Sequence, residues 1–411
     1  MGYVGLPLAC EFGKYFDVIG YDLSIKRVNE LNRKKDVTNE VNNENFRKAK
    51  KLSFTANVND IAKCNVYIVC VPTPIKKNKK PDIRAIISAS KTVGSVLKKN
   101  DCVIYESTVY PGMTQEICVP ILEKISALKY ISEFGCGYSP ERVNPGDKKN
   151  TIANIVKITS GSDKKTKRFV KNLYAKIIKA GVYPVEDIET AEAAKVIENI
   201  QRDVNIALVN EFSKIFQKLN IDTHQVLDAA STKWNFTRFE PGLVGGHCIG
   251  IDPYYLAYKA KEMMIDPKII LSGRNINESM VSYIASQLNL KLTKKQKNLK
   301  FIKILILGLT FKEDCPDFRN SKIFDLIKVL ENEEKYKLDI SDPYAKLKQF
   351  PNINLVKINN LKSRYDVIIV AVPHKQYIRM GIEKIKKLGK KNCLIMDIKS
   401  KFSINKSNFR L

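Results

Sequence analysis

The strongest constraint on the fold is the repeated alternation of short apolar segments with segments of helical periodicity. Residues 66–71, 101–106 and 301–307 are largely apolar, which is typical of strands buried on both faces of a parallel sheet. Each run ends in a loop that is followed by a helical pattern. This order predicts an α/β fold with parallel sheets, in which ligands bind beyond the carboxyl ends of the strands.

The alternation occurs at both ends of the chain, and a long helical segment lies between them. Residues 188–219 contain neither proline nor glycine, so we predict one helix of roughly 45 Å at ~1.5 Å per residue. A helix of this length indicates either a spine between domains or a contact between the subunits of a homodimer or higher homo-oligomer. We therefore predict two Rossmann-like α/β domains joined by a long central helix. The predicted domains are residues 1–186, a central helical domain with the catalytic loop at 187–292, and residues 293–411, with a linker at 291–300.

The first residues carry a glycine turn of the kind that binds dinucleotides. Gly2 and Gly5 precede a helical pattern, and Asp22 closes the next strand, about twenty residues after the turn, where a dinucleotide fold binds ribose hydroxyl groups. No apolar strand precedes Gly2, so we expect the N-terminal domain to lack its first strand. Two explanations stay open. The true start lies upstream, which the intact downstream pattern favours, or the nucleotide site is damaged and the protein is not catalytic.

A glycine-rich stretch around one cysteine is the most distinctive chemical feature. Residues 241–256 contain four glycines within ten positions, with Cys248 among them and Asp252 four residues later. Glycine lets the backbone approach a ligand closely and presents amide N–H groups to an anion. A cysteine in this setting is typical of a nucleophile held against a bound substrate. The alternative is a buried structural cysteine in a glycine-rich turn.

Composition argues against several other classes of protein. The chain of 411 residues has a net charge of +27, but its lysines are spread out and accompany no nucleic-acid-binding motif. We therefore expect solvated faces or an anionic small molecule rather than a nucleic acid. No apolar run reaches the ~18 residues of a membrane span, and no membrane partner is expected. The nine cysteines lack metal-binding spacing, which predicts reduced thiols in a cytoplasmic protein and no metal site.

Together these segments resemble the nucleotide-sugar 6-dehydrogenase family, whose best-known members are UDP-glucose and GDP-mannose dehydrogenases. The resemblance covers essentially the whole chain. It rests on these ordered motifs: Gly2-Tyr3-Val4-Gly5-Leu6-Pro7, Val71-Pro72-Thr73-Pro74, Ser107-Thr108-Val109, Ser139-Pro140-Glu141-Arg142, Lys195 with Asn199, Gly245-Gly246-His247-Cys248 with Asp252, and Phe311-Lys312 with Arg319. UDP-glucose enzymes carry other residues around the nucleophile. The version here is similar to the branch that oxidises UDP-N-acetylhexosamines.

The resemblance implies an NAD-dependent enzyme that oxidises the C6 alcohol of a UDP-N-acetylhexosamine, UDP-GlcNAc or UDP-GalNAc, to the uronate for capsule or O-antigen synthesis. The four-electron oxidation uses two NAD+, and Cys248 captures the C6 aldehyde and carries a thioester that water opens. Residues 1–186 would bind NAD and residues 293–411 the UDP-sugar. Two alternatives stay open: a UDP-glucose 6-dehydrogenase, and an NAD-dependent hydroxy-acid dehydrogenase without a thioester step.

The resemblance also implies roles for individual residues in catalysis. The catalytic residues would be Cys248, Lys195, Asn199, Asp252, Glu141 and Thr108. Lys195 and Asn199 are spaced i, i+4 on one helix face and would stabilise oxyanions; the alternative for Lys195 is a solvated surface lysine. Glu141 would act as the base for thioester hydrolysis, with Thr108 holding the water. Asp252 would orient Lys195 or a water.

Two further sets of residues are implied for binding. The cofactor would contact Gly2, Tyr3, Val4, Asp22, Arg27, Thr73 and Thr108. The substrate would contact Arg142, Asn144, Arg238, Gly245, Gly246, Phe311, Lys312 and Arg319. In the second set, Phe311 would stack on a base, and Lys312 and Arg319 would neutralise the diphosphate. Arg238 would reach a neighbouring subunit's site, and His247 would shape the substrate pocket or have a structural role.

Overall fold

The computed structural model describes residues 1–38, 40–143, 150–246, 248–294, 301–361 and 364–411. All pairings between its strands are parallel, which confirms the predicted α/β class. The chain divides into a first unit, residues 1–198 with 254–266, and a second unit, residues 199–253 with 267–411. The division into three domains stays a prediction.

Helices and strands alternate along most of the chain. The α-helices are α1 (Gly5–Phe12), α2 (Ile25–Asn32), α3 (Asn43–Lys48), α4 (Val58–Ile61), α5 (Arg84–Gly94), α6 (Val119–Ser126), α7 (Lys164–Ala175), α8 (Ile188–Leu219), α9 (Thr223–Ala230), α10 (Asp252–Glu262), α11 (Lys268–Lys294), α12 (Lys322–Glu331), α13 (Lys375–Met380) and α14 (Ile382–Lys386). The strands are β1 (Val18–Tyr21), β2 (Leu52–Thr55), β3 (Val66–Val69), β4 (Cys102–Tyr105), β5 (Gly135–Tyr138), β6 (Lys157–Thr159), β7 (Val182–Pro184), β8 (Ile302–Leu307), β9 (Tyr336–Ser341), β10 (Tyr365–Val370), β11 (Gly389–Asp397) and β12 (Phe409–Arg410). A π-helix covers Thr114–Cys118, and short 3-10 helices cover Ile152–Asn154, Leu347–Gln349, Ile358–Asn360 and Ile404–Lys406.

The first unit contains three parallel sheets, β3-β4-β5, β1-β2 and β6-β7. All four residues of β4 are buried, as its apolar sequence predicts for a central strand. Helix α1 contributes Leu8 and Phe12 to a core cluster that also contains Ile104 and Tyr174. Because β3, β4 and β5 run parallel, the loops that follow them emerge at one edge of the sheet.

The second unit contains a five-stranded parallel sheet in the order β12-β11-β10-β8-β9. Strand β8 alternates its side chains between two cores. Ile304 and Ile306 belong to the cluster that includes α11 and α12, whereas Leu305 and Leu307 belong to the cluster that includes α13 and α14. Helices therefore cover both faces of this sheet, which is why β8 and β10 are apolar throughout most of their length.

The two long helices agree with the sequence prediction to different degrees. Helix α8 has the predicted bounds, Ile188–Leu219. The linker predicted at residues 291–300 is wrong for its first four residues, because α11 continues to Lys294. Leu288 and Leu292 keep an i, i+4 apolar pair buried in the core there, which outweighs the basic composition. Residues 295–300 lie outside the described segments. Within those segments, no helix combines enough length and apolarity to cross a membrane.

Candidate active site

The predicted cofactor residues lie in the first unit. Gly2, Tyr3 and Val4 form the turn that leads into α1, and no side chain caps the N-terminus of that helix. Asp22 follows β1; it accepts a hydrogen bond from the Ser24 amide at 2.8 Å and pairs with the amino group of Met1. Arg27 donates to the Met1 carbonyl at 2.9 Å and to Asp36 at 2.8 Å. Its contact with a cofactor stays a prediction.

The loops after β3, β4 and β5 are tied to one another by hydrogen bonds. Ser107 Oγ, after β4, donates to the carbonyl of Val71, after β3, at 2.7 Å. The Tyr138 hydroxyl, at the end of β5, donates to the Ser107 carbonyl at 3.2 Å. These bonds bring the loops that carry Thr73, Thr108 and Glu141 to one edge of the sheet, as the sequence predicts.

Glu141 has a carboxylate with two different environments. Its Oε1 accepts hydrogen bonds from the backbone amides of Arg142 and Val143, at 2.8 and 2.6 Å. Its Oε2 is buried, has no hydrogen-bond partner among the described residues, and lies 3.5 Å from Lys157 Nζ. One oxygen is therefore held by two backbone amides, while the other faces the Lys157 ammonium; the role of Glu141 as a base stays a prediction.

Arg142 is held by two partners in the first unit. Its Nη2 lies 2.6 Å from Glu198 Oε1, and its Nη1 donates to the Val156 carbonyl at 3.0 Å. The guanidinium is oriented by these contacts and stays about a quarter exposed, at 28%. Asn144, predicted beside it, lies outside the described residues, as does His247.

The predicted nucleophile lies in the second unit, one turn before α10. The carbonyl of Cys248 accepts hydrogen bonds from the amides of Ile251 and Asp252, at 3.1 and 2.9 Å, and the residue is partly buried. The Asp252 carboxylate is buried and accepts a hydrogen bond from Asn199 Nδ2 at 2.5 Å. Asn199 and Asp252 are thus brought together, although 53 positions separate them. Lys195, in the first unit, is 7% exposed, which excludes the alternative of a solvated surface lysine.

A buried asparagine that sequence analysis missed holds the start of the Cys248 loop. Asn210 on α8 is fully buried, accepts from the Gly242 amide at 2.7 Å, and donates to the Gly242 carbonyl at 3.0 Å. Its amide also donates to Asn277 Oδ1 at 2.8 Å, and Asn277 donates in turn to Asp203 at 2.8 Å. An asparagine inside the long helix was the only signal in the sequence, and it did not reveal the partner.

Three of the predicted substrate contacts, Gly245, Phe311 and Lys312, line one small cavity of the second unit, whereas Gly246 and Arg319 do not line it. Gly246 has a φ of +85°, and its amide and carbonyl pair with Asn320 at 3.3 and 3.2 Å. A β-carbon on Gly246 would lie 2.9 Å from the Phe311 ring. The cavity is lined by Leu243, Gly245, Phe311, Lys312, Glu313, Ser321, Lys322, Ile323, Ala371, Val372 and Lys399. Three lysines therefore line it, two of which, Lys322 and Lys399, sequence analysis missed.

Two predicted substrate arginines are engaged in ion pairs of the second unit. Arg319 makes a bidentate pair with Asp317, at 2.9 and 2.5 Å. Arg238 pairs with Asp228 at 2.6 Å and with Glu240 at 2.7 Å. The hydrogen bond from His224, with a further contribution from Arg238, lowers the pKa of Glu240 to about 2. The roles of Arg319 and Arg238 toward a substrate stay predictions.

Comparisons with known proteins match the chain along its whole length. Models of the UDP-glucose/GDP-mannose dehydrogenase family match with the NAD binding domain at residues 1–178, the central domain at 189–279 and the UDP binding domain at 305–403. A UDP-N-acetyl-D-glucosamine 6-dehydrogenase of Salmonella typhi is 50% identical over 413 residues, with 100% of this chain and 97% of the relative covered. One of Pseudomonas aeruginosa is 49% identical, with 100% and 98% covered.

A solved structure shows the same fold. The structure of a UDP-D-ManNAc dehydrogenase from Pyrococcus horikoshii superposes with a TM-score of 0.89 and 30% sequence identity, covering 100% of this chain and 96% of that one. The chain therefore belongs to the UDP-glucose/GDP-mannose dehydrogenase family, and it is an NAD-dependent nucleotide-sugar dehydrogenase.

Proposed function

We propose that this enzyme oxidises the C6 alcohol of UDP-N-acetylglucosamine to the carboxylate through a thioester on Cys248. The observation that carries the proposal is the Cys248 loop, in which the thiol precedes a helix N-terminus by one turn. A helix N-terminus favours the thiolate, the nucleophilic form of cysteine. The Asn199–Asp252 pair in the same unit supports it, since a buried amide fixed by a carboxylate is a preorganised donor for an oxyanion.

The first unit offers residues that fit the cofactor. The glycine turn at Gly2 leads into α1, whose N-terminus no side chain caps, and a helix N-terminus suits a pyrophosphate; Asp22 stands after β1, where a carboxylate suits a ribose. We assign Gly2, Tyr3, Val4, Asp22 and Thr73 to this role. When bound, NAD+ accepts the hydrides that the two oxidations release.

The chain's own residues would then act in sequence. The Cys248 sulfur attacks the C6 aldehyde and forms a thiohemiacetal, whose oxyanion is stabilised by Lys195 and Asn199. The second oxidation leaves the acyl group on sulfur as a thioester. Glu141 removes a proton from water, the hydroxide opens the thioester, and the carboxylate product leaves while the thiol is restored.

The first test removes the nucleophile. In Cys248→Ser we expect formation of the carboxylate to fall below detection and NAD+ affinity to stay within about threefold of wild type, because the serine hydroxyl is far less ionised. Carboxylate is measured by chromatography and NAD+ binding by calorimetry. Turnover at the wild-type rate would refute the thioester mechanism.

The second test concerns the sugar. The relatives from Salmonella typhi and Pseudomonas aeruginosa are named UDP-N-acetyl-D-glucosamine 6-dehydrogenases, and Arg142 retains N–H groups beyond those bonded to Glu198 and Val156. We propose that Arg142 donates to the N-acetyl carbonyl. Loss of that bond costs ~1–3 kcal/mol, or roughly 5- to 150-fold in kcat/KM.

The measurement compares UDP-N-acetylglucosamine, UDP-N-acetylgalactosamine and UDP-glucose on wild type and on Arg142→Ala. We expect wild type to prefer the acetylated sugars and the variant to lose most of that preference. An equal loss on all three sugars would show that Arg142 is only a general anchor, and a wild-type preference for UDP-glucose would refute the substrate assignment.

We further propose that the enzyme works in the cytoplasm as a homodimer or larger homo-oligomer and supplies a uronate for capsule or O-antigen synthesis. Apolar side chains stay exposed at three positions of α8, Ile197, Leu208 and Ile215, at 54%, 47% and 47%. Their spacing of eleven and seven residues places them on one helix face, and an exposed apolar stripe of this kind supports a subunit contact. Sedimentation of the full chain tests the oligomeric state.

A further inference from the structure

A buried lysine lies between two carboxylates directly behind the proposed base. Lys157 on β6 is 4% exposed. Its Nζ lies 2.8 Å from Glu106 Oε2, donates to the Pro140 carbonyl at 3.0 Å, and lies 3.5 Å from Glu141 Oε2. Glu106 is itself 2% exposed. One buried ammonium therefore forms ion pairs with two carboxylates.

The three groups are strongly coupled because little solvent screens them. Burial alone would lower the pKa of Lys157, but Glu106 and Glu141 raise it above its ordinary value, so the ammonium stays charged. Burial raises the pKa of Glu106, and Lys157 opposes that shift. A change in the charge on Glu106 therefore changes the net electrostatic potential that Glu106 and Lys157 produce at Glu141.

Other groups around this cluster are neutral or engaged elsewhere. Tyr174 donates to Glu106 Oε1, and burial raises the pKa of Tyr174 and of Cys70 well above their ordinary values. The nearby guanidinium of Arg142 pairs with Glu198. Among the described residues, Lys157 is the cation in direct contact with Glu141 Oε2, and Glu106 pairs with the same ammonium.

We propose that Lys157 is a positioning residue that holds the Glu141 carboxylate and its backbone in place for thioester hydrolysis, and that Glu106 moderates the effect of the Lys157 charge. The inference rests on the proposed role of Glu141 as the base. The Pro140 carbonyl is bonded to the same ammonium, so Lys157 also fixes the backbone next to Glu141. Since Glu141 Oε2 has no other partner among the described residues, the oxygen that would take the proton is the one that faces Lys157.

The proposal predicts opposite effects from removing the two charges. Lys157→Met takes away the cation that lies 3.5 Å from Glu141 Oε2, so the acidic limb of the pH–rate profile should move to higher pH. Glu106→Gln frees the cation for Glu141, so the limb should move to lower pH. The glutamine fits because Tyr174 can accept as well as donate a hydrogen bond. If Lys157 and Glu106 had a purely structural role, both variants would react more slowly, but the acidic limbs of their pH–rate profiles would not move in opposite directions.

The experiment follows opening of the acyl-enzyme in a single turnover with UDP-N-acetylglucosamine and NAD+, from about pH 5 to about pH 9, with the Cys248 adduct measured by intact-protein mass spectrometry. The control is Lys167→Met, which removes a lysine of the same unit that pairs with the exposed Glu186 at 2.8 Å and should leave the profile unchanged. If Lys157→Met fails to fold, Glu106→Gln is compared with the double variant Glu106→Gln/Lys157→Met. This comparison isolates the Lys157 charge, and the acidic limb of the double variant should lie at higher pH than that of Glu106→Gln.

A further variant separates this inference from the proposed function. Glu141→Gln should accumulate the acyl-enzyme. If it opens the adduct at the wild-type rate, the role of Glu141 as the base is wrong, and the inference falls with it. If Glu141→Gln stalls but the Lys157 and Glu106 variants leave the limb in place or move it in the same direction, the base assignment stands and the positioning role of Lys157 is overturned.

Discussion

Replacing Asn210 should destabilise the second unit and impair the nucleophile loop together. The side chain makes three buried hydrogen bonds, two to the backbone of Gly242 and one to Asn277. At about 1 kcal/mol for each neutral bond, Asn210→Ala should cost ~3 kcal/mol in the free energy of unfolding. For a unit of this size the loss corresponds to a fall of roughly 6–12 °C in Tm.

The matched control is Asn205→Ala on the same helix. Asn205 makes one solvent-exposed hydrogen bond, to the Gln201 carbonyl at 2.7 Å, and its replacement should change stability by less than about 0.5 kcal/mol. Both substitutions gain the same helix propensity, so their difference reports the buried bonds. Calorimetry measures Tm, and steady-state assays measure kcat, which should fall only in Asn210→Ala. Equal Tm values for the two variants would refute the account.

The isosteric substitution Asn210→Asp tests the direction in which stability changes with pH. Asn210→Asp replaces the amide donor with an oxygen that faces the Gly242 carbonyl and Asn277 Oδ1. The folded state would then favour the protonated acid, which raises the pKa of the new carboxyl above its ordinary value. The variant should therefore be closest to wild type near about pH 4 and fall further behind as the pH rises toward about 8. A gap in Tm that is constant with pH would contradict this reasoning.

Two further predictions concern the second unit. The folded pKa of Glu240 is about 2 against an ordinary 4.5, so its ion pairs stabilise the fold above the ordinary value and lose that effect as the pH falls toward 2. Glu240→Gln should lower Tm near about pH 6 and lower it clearly less near about pH 3, where part of the wild-type stabilisation is already lost; an equal loss at both would contradict the assignment. Gly246→Ala should weaken UDP binding at least about tenfold by calorimetry, because a methyl group would lie 2.9 Å from the Phe311 ring. Gly381→Ala, where φ is also positive but no atom lies within 4 Å, should leave UDP affinity unchanged.

The sequence predicted the buried strands and the long helix well because their signals are local. Strand β4 is continuously apolar, and α8 contains no residue that breaks a helix. Two shorter elements, α9 and β2, were not predicted from the sequence. Helix α9 begins after Asp222, whose side chain accepts from the Gln225 amide at 2.9 Å, and such an N-cap could have revealed it. Strand β2 is only four residues long and partly polar, so periodicity could not identify it.

The support of the site was not predictable, because its contacts join distant positions. Lys157 and Glu106 are 51 residues apart, and Asn210 and Gly242 are 32 apart. A charged residue in a short strand, or an asparagine inside a helix, gives no indication of its partner. Motif resemblance assigned roles to the residues of the loops themselves, whereas the buried side chains that hold those loops became visible only in the tertiary structure.

The carboxylates after corresponding strands have different environments in the two α/β units. Asp342 follows β9 in the second unit, the position at which a dinucleotide fold presents an acid to a ribose. Its side chain is fully buried, accepts from the amides of Leu309 and Thr310 at 2.6 and 3.3 Å, and lies 3.1 Å from His374 Nε2. The Asp342 carboxylate therefore fixes the turn that precedes Phe311. Asp22, in the first unit, keeps 23% of its side chain exposed and can still meet a ribose. The same architecture thus leaves the acid partly exposed in one unit, while in the other the equivalent acid fixes a turn beside a cavity lined by three lysines.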